Sequence, residues 1–86
     1  LPLQRWRPPA AADVEIVRHC PVRILSAAIR GRIAEAQGPY RLSGNWWEPG
    51  AWETEEWDIA MADGGLYRIA RTASGWRVEG CYDALH

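Results

Sequence analysis

Phenylalanine and lysine are both missing from this sequence of 86 residues. All ten basic residues are therefore arginines, and eleven acidic residues balance them to a net charge of −1. A domain whose main partner is DNA normally carries a clear excess of basic charge, often clustered on one face. The charge balance therefore argues against DNA binding as the primary role.

The sequence also has little that would suggest a membrane, export or metal. It contains no apolar run of membrane-spanning length and no signal-peptide pattern. Its two cysteines lack the C-x-x-C spacing of zinc sites, and the adjacent His19 and Cys20 would not both reach one tetrahedral ion. We therefore expect no metal and no cofactor, and buried free thiols at Cys20 and Cys81 rather than a disulfide.

A catalytic site is equally hard to find. The candidates for a catalytic triad are Ser43, His19 and an aspartate. Glu55 and Asp58 are the candidates for an acid–base pair. However, the sequence has neither a nucleophile elbow nor a glycine-rich phosphate loop. We expect a domain without enzymatic activity.

The chain length suits one small domain. Residues 1–13 are predicted to form an extended, proline-rich lead-in, because Pro8 and Pro9 fix φ and keep the preceding residue out of the helical region. Trp6 either docks on the domain or belongs to a linker. Residues 14–86 are predicted to form the single domain, which we expect to be the C-terminal part of a longer protein.

Short alternating segments predict the secondary structure of this domain. Strands are expected over residues 14–20, 22–27 and 29–37, with a turn near Arg30 and Gly31. Later in the chain, residues 55–62, 66–72 and 76–83 alternate apolar and polar side chains with a period of two. The tripeptide Asp63-Gly64-Gly65 predicts a tight hairpin between the first two of these segments, and residues 72–75 predict another turn.

Together these segments predict a mostly β fold with little helix: a small antiparallel meander or partly open barrel of five to six short strands. Such an architecture buries one face of each strand and limits exposed edges. Trp57 and Trp76 are in phase with the apolar positions of their strands, which predicts core positions. Gly80 lies on the apolar side of the last strand, where a glycine indicates a bulge or bend.

Residues 38–57 hold four of the six tryptophans in a polar segment that is rich in glycine and proline. Trp46 and Trp47 would point to opposite sides of an extended chain, and neither shares a strand period with Trp52. Aromatic side chains with a polar tip are enriched at the hot spots of protein interfaces. The alternative is that these rings close the open end of a small barrel.

Four glutamates surround Trp52 in the sequence and make this segment acidic: Glu48, Glu53, Glu55 and Glu56. Acidic charge repels phosphate and suits an arginine- or lysine-bearing protein partner, although a solvated charged turn is the alternative. Arg41 either anchors an acidic partner segment or pairs with one of these glutamates. The predicted partner-binding residues are Arg41, Trp46, Trp47, Glu48 and Trp52.

The strings "RPP", "GPYRLSGNWWEPGAWETEEWDIAMADGGLYRIAR" and "GWRVEGCYD" resemble the C-terminal end of ImuB-type proteins. These proteins are catalytically inactive relatives of the Y-family translesion DNA polymerases. The resemblance covers residues 5–83 and is densest from residue 38 onward. It implies a cytoplasmic, damage-induced bacterial assembly in which a RecA/SulA-like ImuA partner and a DnaE-type polymerase take part. The family's polymerase-like portion and clamp-binding peptide lie outside these residues, so no catalytic residue can be transferred.

The resemblance and the charge balance lead us to expect a non-catalytic protein-interaction domain of an error-prone translesion-synthesis scaffold. ImuA-type and DnaE-type proteins would be its partners, and DNA would be contacted only indirectly or weakly. One alternative is a single-stranded DNA-binding module that uses exposed tryptophans and nearby arginines, namely Arg5, Arg7, Arg30, Arg32 and Arg41. Another is a structural tail that packs on an upstream polymerase-like domain.

Overall fold

Six antiparallel strands form a closed barrel in the computed structural model, which describes residues 3–41, 54–72 and 75–82. The strands are β1 (Leu3–Val17), β2 (Cys20–Ser26), β3 (Arg30–Arg41), β4 (Glu55–Met61), β5 (Leu66–Thr72) and β6 (Gly75–Tyr82). Each strand pairs with the next one in the chain, and β6 returns to pair with β1. Helix is absent from these residues. The prediction of a mostly β domain is confirmed, and the barrel is closed rather than partly open.

The inward-facing side chains of the strands build one apolar core. On β4, Trp57, Ile59 and Met61 are all buried, as their alternation with polar residues predicts. The remaining buried members of the core cluster are Ile24, Ile33, Ile69 and Val78. Trp76 is partly buried and packs against this cluster. Trp57 is thus confirmed as a core residue, and Trp76 lies at the margin of the core.

The first strand begins earlier than the sequence indicates. Residues 3–13 belong to β1 and are not a separate lead-in, since β1 pairs with β6 from Leu3 onward. The register of this pairing shifts at residues 6–9, which include the two prolines. Trp6 lies in this irregular stretch and contacts the Tyr67 ring edge-on, with 6.3 Å between ring centroids. Trp6 therefore docks on the barrel.

A hairpin turn divides the strand that was predicted over residues 14–20. Arg18 and His19 both adopt left-handed backbone conformations, with φ of 53° and 66°. The flanking Val17 and Cys20 pair directly, so the loop has two residues. Two-residue hairpins favour turns with positive φ at both positions, usually supplied by asparagine, aspartate or glycine. The turn escapes sequence analysis because none of those residues is present.

The next turn lies a few residues before its predicted position at Arg30 and Gly31. The Ser26 hydroxyl accepts hydrogen bonds from the N–H groups two and three residues later, at 3.1 and 2.9 Å. The Ser26 backbone N–H also donates to the Ile29 carbonyl at 2.8 Å. These bonds close the turn, so β3 starts at Arg30. The predicted strand over residues 29–37 is confirmed and continues to the end of β3.

Gly80 allows the barrel to close. The β5–β6 register passes over Glu79, which is the extra residue of a bulge next to Gly80. A Cβ atom at Gly80 would lie 2.9 Å from the Arg5 Cα and would collide with the Gln4 carbonyl oxygen. Glycine therefore permits the close approach of β1 to β6, and the predicted bulge is confirmed.

Candidate interaction surfaces

The predicted partner-binding residues belong to the end of β3 and to the connection that follows it. Arg41 is the last residue of β3, and its backbone pairs with Glu55 on β4. Trp46, Trp47, Glu48 and Trp52 lie outside the described residues. The end of β3 and the beginning of β4 therefore form the base from which the predicted segment extends.

A cavity of about 230 Å³ lies at this end of the barrel. Trp57, Trp76, Glu55 and Arg71 are among the residues that line it. The Arg71 guanidinium lies 5.7 Å from the centroid of the Trp76 ring, a favourable cation–π arrangement. The Trp57 Nε1–H is buried and has no hydrogen-bond partner among the described residues. The base of the predicted segment is thus aromatic and carries charge of both signs.

An arginine on the outer face of the barrel is held by several side chains. Arg68 on β5 lies directly opposite Asp58 on β4. It binds both carboxylate oxygens, with 2.8 Å from Nε to Oδ1 and 2.9 Å from Nη2 to Oδ2. The Tyr82 hydroxyl donates to the same Oδ1 at 2.6 Å. The Arg68 guanidinium carbon also lies 5.9 Å from the ring centroids of Tyr40 and Tyr82. This bidentate, aromatic-flanked arrangement fixes the position of the arginine.

The same arginine compensates a buried carboxylate. The Glu56 side chain is only 1% exposed, and its Oε1 lies 3.3 Å from Arg68 Nη1. Its other oxygen, Oε2, lies 3.9 Å from Arg5 Nη1. A buried charge is strongly unfavourable unless it is paired. Glu56 is among the glutamates predicted as partners of Arg41, but its ion pairs in the described part of the chain are with Arg68 and Arg5.

At Asp58, hydrogen bonds and a neighbouring charge together affect the pKa of the carboxyl group more than burial does. Burial alone would raise the pKa of its carboxyl group, but hydrogen bonds from Arg68 and Tyr82 and the charge of Arg68 lower the pKa below its ordinary value. The hydrogen bond to Asp58 raises the pKa of Arg68. Burial and the hydrogen bond to Asp58 raise the pKa of Tyr82. At neutral pH the cluster therefore holds a carboxylate, a guanidinium ion and an uncharged phenol.

Acid is expected to weaken the fold through Asp58. Since its folded-state pKa lies below the unfolded value of about 3.9, the carboxylate stabilises the fold above that pH. This contribution is lost as the pH falls through the folded-state pKa. We expect the Asp58→Asn variant to be less stable at neutral pH and to lose less unfolding free energy than the parent between about pH 4 and pH 2.

Urea unfolding at several pH values measures this effect, and Asp13→Asn provides a matched control at an exposed residue. The control is expected to keep the acid slope of the parent. An Asp58→Asn variant with the parental slope would contradict the assigned role of Asp58.

The sequence contains only part of the signal for the Arg68 cluster, which was therefore not predicted. The period of two places Asp58 on the polar side of β4 and Arg68 on the polar side of β5. The hairpin at Asp63 joins these two strands, so its register decides which polar residues face each other. With residues 63–65 as the turn, Asp58 would lie opposite Ala70, whereas the observed register pairs Ala60 with Leu66 and therefore Asp58 with Arg68.

The aromatic rings in the described part of the chain are largely occupied by packing. Trp57 is 6% exposed, while Trp6 and Trp76 are partly buried against the core. The large apolar side chains that remain exposed in this part are Val17, Leu25 and Tyr40. Tyr40 is the aromatic one of the three, and it already contacts Arg68. Few rings in this part of the barrel are therefore free to stack on the bases of nucleic acids.

The two cysteines are free, half-buried thiols. Cys20 begins β2, and Cys81 lies near the end of β6. Within residues 3–41, 54–72 and 75–82, no group of three or more histidine, cysteine, aspartate or glutamate side chains is placed to hold a metal ion. In the same ranges there is also no helix of the length and apolar character needed to cross a membrane.

Comparisons of the chain with models of known protein families, with curated proteins and with solved structures found no match. Its function is therefore inferred from its own residues and surfaces, together with the resemblance described for the sequence.

Proposed function

We propose that this domain is a non-catalytic protein-interaction domain of an error-prone translesion-synthesis scaffold, and that it recruits ImuA-type and DnaE-type partners in the bacterial response to DNA damage. The observation that carries the proposal is the resemblance of residues 38–83 to the C-terminal end of ImuB-type proteins. The string G-P-Y-R-L-S-G-x-W-W, followed at short distance by E-W-D and A-D-G, is its most specific part.

The net charge and the ion pairs of Arg68 and Arg5 support a protein partner rather than single-stranded DNA. Arg68 is neutralised by Asp58 and Glu56, and Arg5 also lies near the Glu56 carboxylate. The domain as a whole carries a net charge of −1. Single-strand binding normally combines a basic groove with exposed aromatic rings. Trp57 is buried in the core and offers no such ring, which leaves DNA recognition with less support.

We place the partner contact at the end of the barrel where β3 ends and β4 begins. Arg41 lies there, and the chain that follows contributes Trp46, Trp47, Glu48 and Trp52. Tryptophan and arginine are the residues most enriched at interface hot spots. The excess of glutamates in this segment suits a partner that presents arginine or lysine.

Retention of purified candidate ImuA-type and DnaE-type proteins on the immobilised domain tests this function. We expect at least one of them to be retained. The Trp47→Ala and Trp52→Ala variants are expected to weaken retention by about tenfold or more while the melting temperature stays unchanged. Val17→Ala, at an exposed position on β1, is the control that should retain the partner.

Two outcomes would count against this function. Failure to retain either partner, together with unchanged induced mutagenesis after deletion of the domain, would contradict recruitment. Loss of folding in the Trp47→Ala and Trp52→Ala variants would instead assign these rings to the core and remove them from the contact surface.

A further inference from the structure

We propose that the outer face of the β2–β3 hairpin is a docking surface for an acidic polypeptide segment. This surface, called the arginine strip below, consists of Arg23, Leu25, Arg30 and Arg32. It shares no residue with the contact proposed above at the end of β3. The inference therefore holds or fails independently of the recruitment of ImuA-type and DnaE-type proteins.

The strand register brings the four residues together. Arg23 lies opposite Arg32, and Leu25 lies opposite Arg30. Directly opposed residues of an antiparallel pair project from the same face of the sheet. Ile24 lies between Arg23 and Leu25 on β2, points inward and is 1% exposed. The strip faces outward, with Arg23 66% and Leu25 50% exposed.

The charge of the strip is poorly compensated within the domain. Like charges directly opposite each other destabilise a strand pair, as Arg23 and Arg32 do here. Glu15 reaches Arg23 only at 4.0 Å, and both side chains are well exposed, so the pair is weak in water. Arg30 and Arg32 form no ion pair with any residue in the described ranges. The strip thus presents positive charge that a partner can neutralise.

The spacing of the strip indicates the chemistry of that partner. Arg30 and Arg32 are two residues apart on one strand, which separates them by about 7 Å on the same face. Carboxylates at alternate positions of an extended segment have the same spacing, and each can bind an arginine fork with two hydrogen bonds. Leu25 lies beside Arg30 and borders a shallow groove of about 260 Å³ between β1 and β2. An acidic segment with an aliphatic residue next to its carboxylates therefore fits the strip.

The surroundings of the strip favour a polypeptide over a nucleic acid. The large apolar side chains that are exposed on β1 and β2 are Val17 and Leu25, which are aliphatic and cannot stack on bases. Asp13 and Glu15 lie on the neighbouring strand, opposite Leu25 and Arg23. Their carboxylates would repel a continuous phosphate backbone that crosses the sheet, whereas a peptide can place an uncharged residue there.

Fluorescence anisotropy with three labelled probes tests the docking surface. The first probe is a synthetic peptide with glutamates at two alternate positions and a leucine at the next alternate position. The second peptide has lysines in place of the glutamates, and the third probe is oligothymidylate. We expect the acidic peptide to bind in low-salt buffer, the basic peptide not to bind, and oligothymidylate to bind more weakly than the acidic peptide.

Charge reversal identifies the residues responsible. Arg30→Glu and Arg32→Glu are each expected to weaken binding of the acidic peptide by about tenfold or more. Arg7→Glu makes the same charge change at an exposed position on β1 and should leave binding unchanged. Arg32→Glu also places a carboxylate opposite Arg23, so its melting temperature should rise while its binding falls.

Because Arg32→Glu should raise the melting temperature while it weakens binding, a loss of recognition can be distinguished from a loss of folding. Absence of acidic-peptide binding to the parent protein would overturn the proposal, and so would equal weakening by Arg7→Glu. Tighter binding of oligothymidylate than of the acidic peptide would overturn it in favour of a nucleic-acid surface.

Discussion

Replacing Trp57 with alanine is expected to destabilise the domain by about 3–5 kcal/mol, which is the usual cost of truncating a buried tryptophan. Trp57 is 6% exposed and belongs to the central apolar cluster, where it lies opposite the fully buried Ile69 on β5. Its ring also packs closely against the backbone at Gly38, where an added Cβ would lie 3.1 Å from Cδ2. Because domains of this size are stable by only about 5–15 kcal/mol, the loss should remove a large part of the fold's stability.

Urea unfolding provides the measurement, and Trp57→Phe is the matched control. This variant keeps an aromatic ring and removes an Nε1–H that has no hydrogen-bond partner in the part of the chain that the structure describes. We expect it to cost less than half as much as Trp57→Ala, since no hydrogen bond is lost. A cost below about 1 kcal/mol for Trp57→Ala would show that this indole is not a central part of the core.

Replacing Arg68 with methionine is expected to destabilise the domain by about 2–4 kcal/mol. The change leaves the Glu56 carboxylate, which is 1% exposed, without its closest cation and removes both hydrogen bonds to Asp58. Breaking a fully buried ion pair costs about 3–5 kcal/mol. The expected value is lower because the Arg68 side chain is 21% exposed and water screens part of the interaction.

Two variants make this second prediction specific. Adding Glu56→Gln to Arg68→Met is expected to recover part of the lost stability, because the buried charge is then removed as well. Arg23→Met is the matched surface control, since Arg23 is 66% exposed and forms only a long pair with Glu15. Its cost should stay below about 0.5 kcal/mol. Equal costs for Arg68→Met and Arg23→Met would contradict the proposed role of Arg68 as the compensating charge.

The sequence predicts the second half of the barrel well because its signals are local. A period of two on β4 separates Trp57 and Ile59 from Asp58, and Asp63 begins a turn rich in glycine. In the structure the Asp63 carboxylate accepts a hydrogen bond from the Gly65 N–H at 3.0 Å, which stabilises this hairpin. Strand pattern and turn chemistry point to the same structure here, so both the strands and their order are predicted.

The closure of the barrel depends on contacts between distant parts of the chain and could not be predicted in the same way. Pro8 and Pro9 suggest a linker, because proline lacks the N–H group that a strand ladder needs. The structure accommodates both prolines where the β1–β6 register shifts, and pairing resumes at Ala10. Prolines at such irregular positions are compatible with a strand. The sequence alone does not show that β6 returns to this segment.

The ion-pair partners of the charged residues also depend on contacts between distant parts of the chain and could not be predicted from the sequence. Arg41 precedes the segment that contains the glutamates, and Glu56 is among its predicted partners, although Arg68 is nearer to Glu56 in sequence. Glu56 instead lies within ion-pair distance of Arg68 on β5 and Arg5 on β1. Ion pairs across a sheet depend on strand order and register, neither of which follows from closeness in sequence.

We propose that this barrel recognises polypeptides and that the arginines and indoles in its described part do not form a site for single-stranded DNA. Titration of the same protein preparation with a purified DnaE-type or ImuA-type protein and with oligothymidylate, at low and at physiological salt, tests it most directly. We predict saturable binding of the protein partner and little binding of oligothymidylate under both conditions. Tight oligothymidylate binding that weakens steeply with salt, without binding of either protein, would contradict the claim.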